Sequence, residues 1–323
     1  MTTSKNEEEN IYAASLRYEE RINMSRFGKV LTAMVTPFTS SGDLDLDEAG
    51  RLAQWLIQNG NDGLVIAGTT GESPTLTHDE QIALIEVVVN SVDAPVIAGT
   101  GSNDTKAAIE LTQRAQTVGA SGILSVTPYY NRPSQQGLLQ HFTRIAECTD
   151  LPVMLYDIPI RSGRKIDTET ILELAHNLEN VVALKDAAGD PSETASLLSQ
   201  SPDGFEIYSG DDSLNLALLS IGASGVVGVA THWTGAEHQN LANAITSGDY
   251  ETAKKINQSL QDSYAFESTL DAPNPIPTKV MMNLLGFNVG NGRPPMDTVP
   301  EGLVAKAQSI VSATIVGSQM GSA

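Results

Sequence analysis

The chain has 323 residues, 41% of them hydrophobic, with 39 acidic against 19 basic side chains and a formal charge of −20. That length allows one large domain or two ordinary ones, and the apolar share supports a sizeable core. Such acidity argues against a nucleic-acid backbone or an anionic membrane as partner, and no run approaches the ~18 apolar residues of a membrane helix. Small anionic substrates remain open, because a local cluster of donors can oppose the global charge. Cys148 is the sole cysteine, which excludes an internal disulfide and a cysteine-based zinc site. Residues 1–26 are polar, carry Glu7-Glu8-Glu9 and lack the apolar region of a signal peptide. They read as an N-terminal extension, polar enough to stay disordered, on a chain with a reducing, cytoplasmic address.

Short apolar runs then recur, each followed by a glycine-bearing or polar turn and a helical pattern. They are Leu31–Val35, Gly63–Ala67, Pro95–Gly99, Gly122–Val126, Pro152–Tyr156, Val181–Leu184, Phe205–Tyr208 and Gly225–Ala230. Between them, Leu46–Gln58, His78–Val92, Thr105–Val118 and Gln136–Glu147 carry apolar residues at helical spacing. Thr77 with Glu80 predicts a capping box for the second of these. Eight strand–helix units predict an α/β fold, a (β/α)8 TIM barrel over residues 27–255, rather than an open doubly wound sheet. Further helical patterns at Ala236–Ala244, Tyr250–Phe266, Pro277–Leu285 and Leu303–Ile315 predict a C-terminal helical extension over residues 256–323.

In such a barrel the chemistry sits at the C-terminal ends of the strands. There the sequence reads Gly68-Thr69-Thr70-Gly71-Glu72-Ser73, then Thr127-Pro128-Tyr129-Tyr130-Asn131-Arg132-Pro133, then Tyr156-Asp157-Ile158-Pro159-Ile160-Arg161-Ser162, then Lys185. A lysine closing the apolar run Val181-Val182-Ala183-Leu184 emerges into a pocket, where desolvation favours a free amine able to attack a ketone. Taken alone, it fits equally a snorkelling side chain or a partner of Asp186. Tyr156 is a phenol able to carry protons beside that amine, or a buried tyrosine with a satisfied hydroxyl. Gly68 and Gly71 let the amides of the Thr69-Thr70 turn approach a carboxylate, or simply make a tight turn. Arg161 offers a bidentate grip on a second carboxylate, or is a solvated loop arginine. The histidines lack metal-ligand spacing and no phosphate or dinucleotide loop is present, so neither a metal nor an organic cofactor is expected.

These four motifs together resemble the 4-hydroxy-tetrahydrodipicolinate synthase (dihydrodipicolinate synthase) family of class I Schiff-base aldolases and lyases. The resemblance runs from Phe27 to the C-terminal helices and includes Ser209-Gly210-Asp211-Asp212 and Asn274-Pro275-Ile276-Pro277. It implies condensation of pyruvate with L-aspartate 4-semialdehyde, in lysine and diaminopimelate biosynthesis. Lys185 would form the imine, with Tyr156, Thr69 and Tyr130 as a proton relay. Thr70 would bind the pyruvate carboxylate, Val227 would line that site through its backbone, and Arg161 would hold the carboxylate of the aldehyde substrate. The family forms homotetramers of tight dimers, and by resemblance Tyr129 would reach across the dimer interface.

Asp157 stands where the family often has Asn, and Ile160 where it usually has a small residue. Ser73, His78, Asn103 and Tyr129 match an allosteric lysine site, but Gln81 replaces a histidine and Ala107 a glutamate. Losing that acid removes a charge-assisted bond worth roughly 1.5–3 kcal/mol, so weak or absent lysine feedback is expected. The alternative is N-acetylneuraminate lyase or a 2-keto-3-deoxy sugar acid aldolase on the same scaffold. A non-catalytic sensor is a third class, and it would be expected to lose one of Lys185, Tyr156 or Thr69.

Overall fold

The computed structural model describes residues 25–313. Eight strands, β1 (Val30–Ala33), β2 (Gly63–Ile66), β3 (Val96–Gly99), β4 (Gly122–Val126), β5 (Val153–Asp157), β6 (Val181–Asp186), β7 (Glu206–Ser209) and β8 (Gly225–Gly228), follow one another around a closed parallel barrel. The strands are short and buried on both faces, which is why they read as continuous apolar runs. Phe27, Leu31, Met154, Tyr156, Tyr208 and Val227 are among the side chains packed inside the barrel. A larger core lies between the barrel and its helices.

The helices begin close to where their sequence signals lie. Leu46–Gln58 is capped by Asp45, which accepts the Glu48 N–H. At the start of His78–Ser91 the capping box is complete. Thr77 accepts the Glu80 N–H at 3.2 Å, and Glu80 accepts the Thr77 N–H at 2.8 Å. After the barrel, one expected helix over residues 250–266 is two, Tyr250–Ser259 and Gln261–Glu267, broken at the buried Leu260. Residue 255, the expected end of the barrel unit, lies inside the first of these. Ile276–Leu284 and Leu303–Ala313 complete the described chain. The expected end of the last helix at residue 315 and nearly all of the N-terminal extension lie outside the described residues.

Strand β6 is not regular. Val181 faces the outer core, Val182 and Ala183 both belong to the barrel interior, and Leu184 faces outward again. The register with β5 slips accordingly, from Val153 opposite Val181 to Met154 opposite Ala183. This bulge is the reason Lys185 stands opposite Tyr156 on one side and Tyr208 on the other. In an unbroken alternation from Val181, Lys185 would point into the helical layer.

A buried ion pair ties the β2 loop to the C-terminal segment. Lys279 Nζ lies 2.7 Å from Glu72 Oε1, with both side chains 2% exposed. Lys279 also donates to the Asn291 carbonyl at 3.0 Å and stands 4.1 Å over the Phe38 ring. Burial pushes the ammonium down to about 8, against the pull of Glu72. Glu72 accepts the Arg293 N–H at 2.8 Å, and the Arg293 guanidinium grips Glu80 with bonds of 2.5 and 3.0 Å. Lys279→Met would leave Glu72 buried without its counter-charge, and urea unfolding should show a loss of about 3–5 kcal/mol. Adding Glu72→Gln to that variant should recover part of the loss.

Candidate active site

Lys185 is 5% exposed, and its Nζ lies 4.4 Å from the centroid of the Tyr156 ring. Both side chains rise from the C-terminal ends of adjacent strands, so their spacing is fixed by the sheet rather than by a loop. Across from them, Gly210 follows β7 and leaves room for the lysine stem. A methyl group at that position would stand 2.9 Å from Lys185 Cγ and 3.0 Å from Cε.

The residue after each of these two side chains turns outward and braces the strand end. Asp186 accepts Thr194 Oγ1 at 2.6 Å and the Ala188 N–H at 2.9 Å. Asp157 accepts the Ile166 N–H at 3.2 Å, and Lys165 lies 3.8 Å away while pairing with Glu193 at 2.8 Å. Burial pushes the Asp157 carboxyl up to about 6. Asp157 thus belongs to the support of the site and is not among the residues lining its cavities.

The β2 loop supplies Thr69 and Thr70. Its unusual backbone angles fall on Ala67 and Glu72, at φ 56° and 57°, and not on Gly68 or Gly71. Gly71 serves close packing instead, since an added methyl would lie 3.1 Å from the Ala67 backbone. Thr70 Oγ1 accepts Asn274 Nδ2 at 2.8 Å, while the Asn274 carbonyl accepts Arg161 Nη2 at 3.4 Å. Asn274 therefore joins the two expected carboxylate-binding residues from a third element.

Two adjoining cavities open here. One of about 320 Å³ is lined by Lys185, Tyr156, Thr69, Thr70, Arg161 and Gly210, among others. The other, of about 230 Å³, shares Thr69, Tyr156 and Arg161 and adds Ser73 and Tyr129. Five of the expected residues, Lys185, Tyr156, Thr69, Thr70 and Arg161, thus surround one space. Among the described residues no group of three or more His, Cys, Asp or Glu side chains could hold a metal ion.

The two adjacent tyrosines stand the other way round from the expectation. Tyr129 lines its own chain's cavity, whereas Tyr130 is 91% exposed. The reason is local: Tyr130 and Arg132 adopt φ of 72° and 46°, and this left-handed turn throws Tyr130 outward. Within one chain the hydroxyl of Tyr130 is not part of the site. Val227 is buried in the barrel interior below the cavity, whose β8 wall is lined by Val229 instead. Of the four residues matching a lysine site, Ser73 and Tyr129 share the smaller cavity. His78 opens its helix and Asn103 accepts Asn131 Nδ2 at 2.9 Å, both outside that lining.

The profile of the dihydrodipicolinate synthetase family matches residues 26–314. A 4-hydroxy-tetrahydrodipicolinate synthase from Moorella thermoacetica is 48% identical over 273 residues, covering 84% of this chain and 92% of that protein. The chain belongs to this family. The crystal structure of a dihydrodipicolinate synthase from Bacillus anthracis superposes with a TM-score of 0.86 at 43% identity, covering 90% of this chain and 99% of that one. A second family structure, from Cyanidioschyzon merolae with lysine bound, gives a TM-score of 0.87 at 41% identity over 90% and 98% of the two chains. Nothing in these comparisons supports the sugar-acid aldolase alternative.

Among the lining residues to which the sequence reading gave no role are Asn274, Gly210 and Glu267. The first two lie in motifs already quoted for the family resemblance, Asn274-Pro275-Ile276-Pro277 and Ser209-Gly210-Asp211-Asp212. Glu267 carries no such signal. For the Gly210→Ala variant we expect a folded protein whose kcat falls roughly 10- to 100-fold, because the added methyl displaces the Lys185 side chain. Stopped-flow imine formation with pyruvate measures it directly.

Proposed function

We propose that Lys185 is the nucleophile and Tyr156 the proton carrier of this chain's reaction, the condensation of pyruvate with L-aspartate 4-semialdehyde to 4-hydroxy-tetrahydrodipicolinate. The reaction is that of its family. The observation that supports these roles best is the buried Lys185 amine 4.4 Å above the Tyr156 ring, in a cavity shared with Thr70 and Arg161. The amine adds to the pyruvate ketone, and the carbinolamine loses water as Tyr156 and Thr69 pass protons. Loss of a methyl proton from the imine gives an enamine, whose carbon attacks the aldehyde. The amino group of the second substrate then displaces Lys185 and closes the ring. Thr70, held by Asn274, receives the pyruvate carboxylate, and Arg161 the carboxylate of the aldehyde. Val227 sets the β8 wall from below rather than meeting substrate with its side chain.

The outward Tyr130 finds its role in a second copy. A solvent-facing phenol on a left-handed turn is suited to cross an interface and complete the relay of the neighbouring site. We therefore assign Tyr130, rather than Tyr129, to the crossing position of a dimer within a homotetramer, in the cytoplasm. No helix among the described residues is long and apolar enough to cross a membrane. Ser73 and Tyr129 remain the candidate contacts for a regulatory lysine, with His78 and Asn103 at its margin. Ala107 leaves that ligand's ammonium without an acidic partner, so feedback should be weak, and half-inhibition by submillimolar lysine would contradict this.

The deciding experiment is turnover of both substrates coupled to the next reductase and followed by nicotinamide oxidation. Robust turnover is expected, with a loss on the order of 1,000-fold or more in Lys185→Ala. Borohydride should trap pyruvate on the parent but not on that variant. Tyr130→Phe should lose most activity while folding normally. Refolding it together with Lys185→Ala should restore activity, because mixed dimers pair an intact lysine with an intact tyrosine. Absence of rescue would place Tyr130 outside the relay.

A further inference from the structure

At the end of β8, two carboxyl groups crowd a single donor. The Ala230 N–H lies 2.8 Å from Asp212 Oδ2 and 3.0 Å from Glu267 Oε2. Asp212 is further held by the Val229 N–H at 2.8 Å and by Asn215 Nδ2 at 2.9 Å. Two carboxyl oxygens gathered around one N–H stand too close for both groups to be charged. The pull of His238 falls on Asp212 rather than on Glu267. His238 Nε2 lies 3.9 Å from Asp212, but its Nδ1 donates to the Thr234 carbonyl at 2.7 Å and Nε2 meets the Tyr264 hydroxyl at 3.3 Å.

The bonds divide the roles between the two acids. Asp212 accepts three N–H donors and suits the ionised form, while Glu267 accepts one and is free to donate. Glu267 is also the last residue of the helix Gln261–Glu267, where the helix dipole disfavours a negative charge. Burial, and then the charge of Asp212, hold its proton on well above the usual carboxylate range. Asp211 adds to that push from the β7 loop. Across the same cavity stand Lys185, Tyr156 and Arg161.

We propose that Glu267 and Asp212 share one proton, and that this proton keeps Glu267 uncharged where it lines the substrate cavity, so that two carboxylate-bearing substrates can enter. Glu267 is a positioning and specificity residue: it lines the cavity as an uncharged acid, and its ionisation would set a negative charge against incoming anions. The purpose of this proton rests on the substrates assigned above; its existence does not.

The test uses the full-length protein. Infrared spectroscopy with carbon-13-labelled glutamate should show the carbonyl stretch of a protonated carboxylic acid at neutral pH, and Glu267→Gln should abolish it. In parallel, the KM for pyruvate of the parent should rise at alkaline pH on the order of tenfold beyond that of Glu267→Gln, with kcat changing less. Folding stability offers a third readout. The unfolded chain releases this proton in the ordinary carboxylate range and the folded chain retains it, so stability falls as pH rises above that range, and the glutamine variant lacks this slope. A parent spectrum without the band, or a band that survives Glu267→Gln, overturns the shared proton. Superimposable KM profiles overturn its role toward anions. If coupled turnover itself were absent, the assigned reaction would fail while the band still reported on the proton.

Discussion

Side chains along a strand alternate, and in a regular β6 that alternation would carry Lys185 out of the barrel and into the helical layer. The two successive inward residues, Val182 and Ala183, reset the phase. From that reset follow the pairing of Lys185 with Tyr156 and Tyr208, the outward turn of Asp157 and Asp186, the ion pair of Asp157 with Lys165 and the hydrogen bond of Asp186 with Thr194. Lys185 is therefore positioned by hydrogen-bonded backbone on both sides. Its neighbours need only leave room for it, which is the contribution of Gly210. Rigid placement of this kind is what orientation-dependent catalysis requires.

The remaining walls come from far along the chain. Residues beyond the barrel were expected to form an added helical segment, and they do form helices, yet they also supply Asn274 against Thr70 and Glu267 beside β8. The substrate loop after β2 is held from the same side, through Glu72 and Lys279. A site made from strand ends on one side and a returning C-terminal segment on the other has its two halves fixed by different physics. Backbone pairing sets the first, and buried polar contacts set the second.

Much of this was legible beforehand because it is periodic or local. Eight apolar runs with intervening amphipathic stretches announce the barrel, and the capping pair Thr77 and Glu80 marks a helix start to the residue. That Lys185, Tyr156, Thr69, Thr70 and Arg161 share one cavity could be read from motifs at strand ends, because strand direction alone brings such ends together. The rest depends on information that no short motif holds. Whether Tyr129 or Tyr130 faces the cavity is decided by two left-handed backbone angles, and the bulge in β6 is invisible in a run of four apolar residues. Glu267 reaches the Ala230 N–H beside Asp212 from a second short helix that begins after Leu260, where a single helix had been expected.

The pairing of Glu72 with Lys279, and with the backbone of Arg293, has a consequence for the order of assembly in time. The loop that carries Thr69 and Thr70 leaves the ribosome early, but the donor that completes its buried carboxylate follows 221 residues later. A nascent chain with all eight strands already synthesised still holds an unneutralised acid beneath that loop, so Thr69 and Thr70 gain their final support only after Lys279 and Arg293 have been added. Loss of the segment that carries Lys279 and Arg293, by premature termination or by a protease, would therefore be felt more than 200 residues away in sequence, at the loop after the second strand.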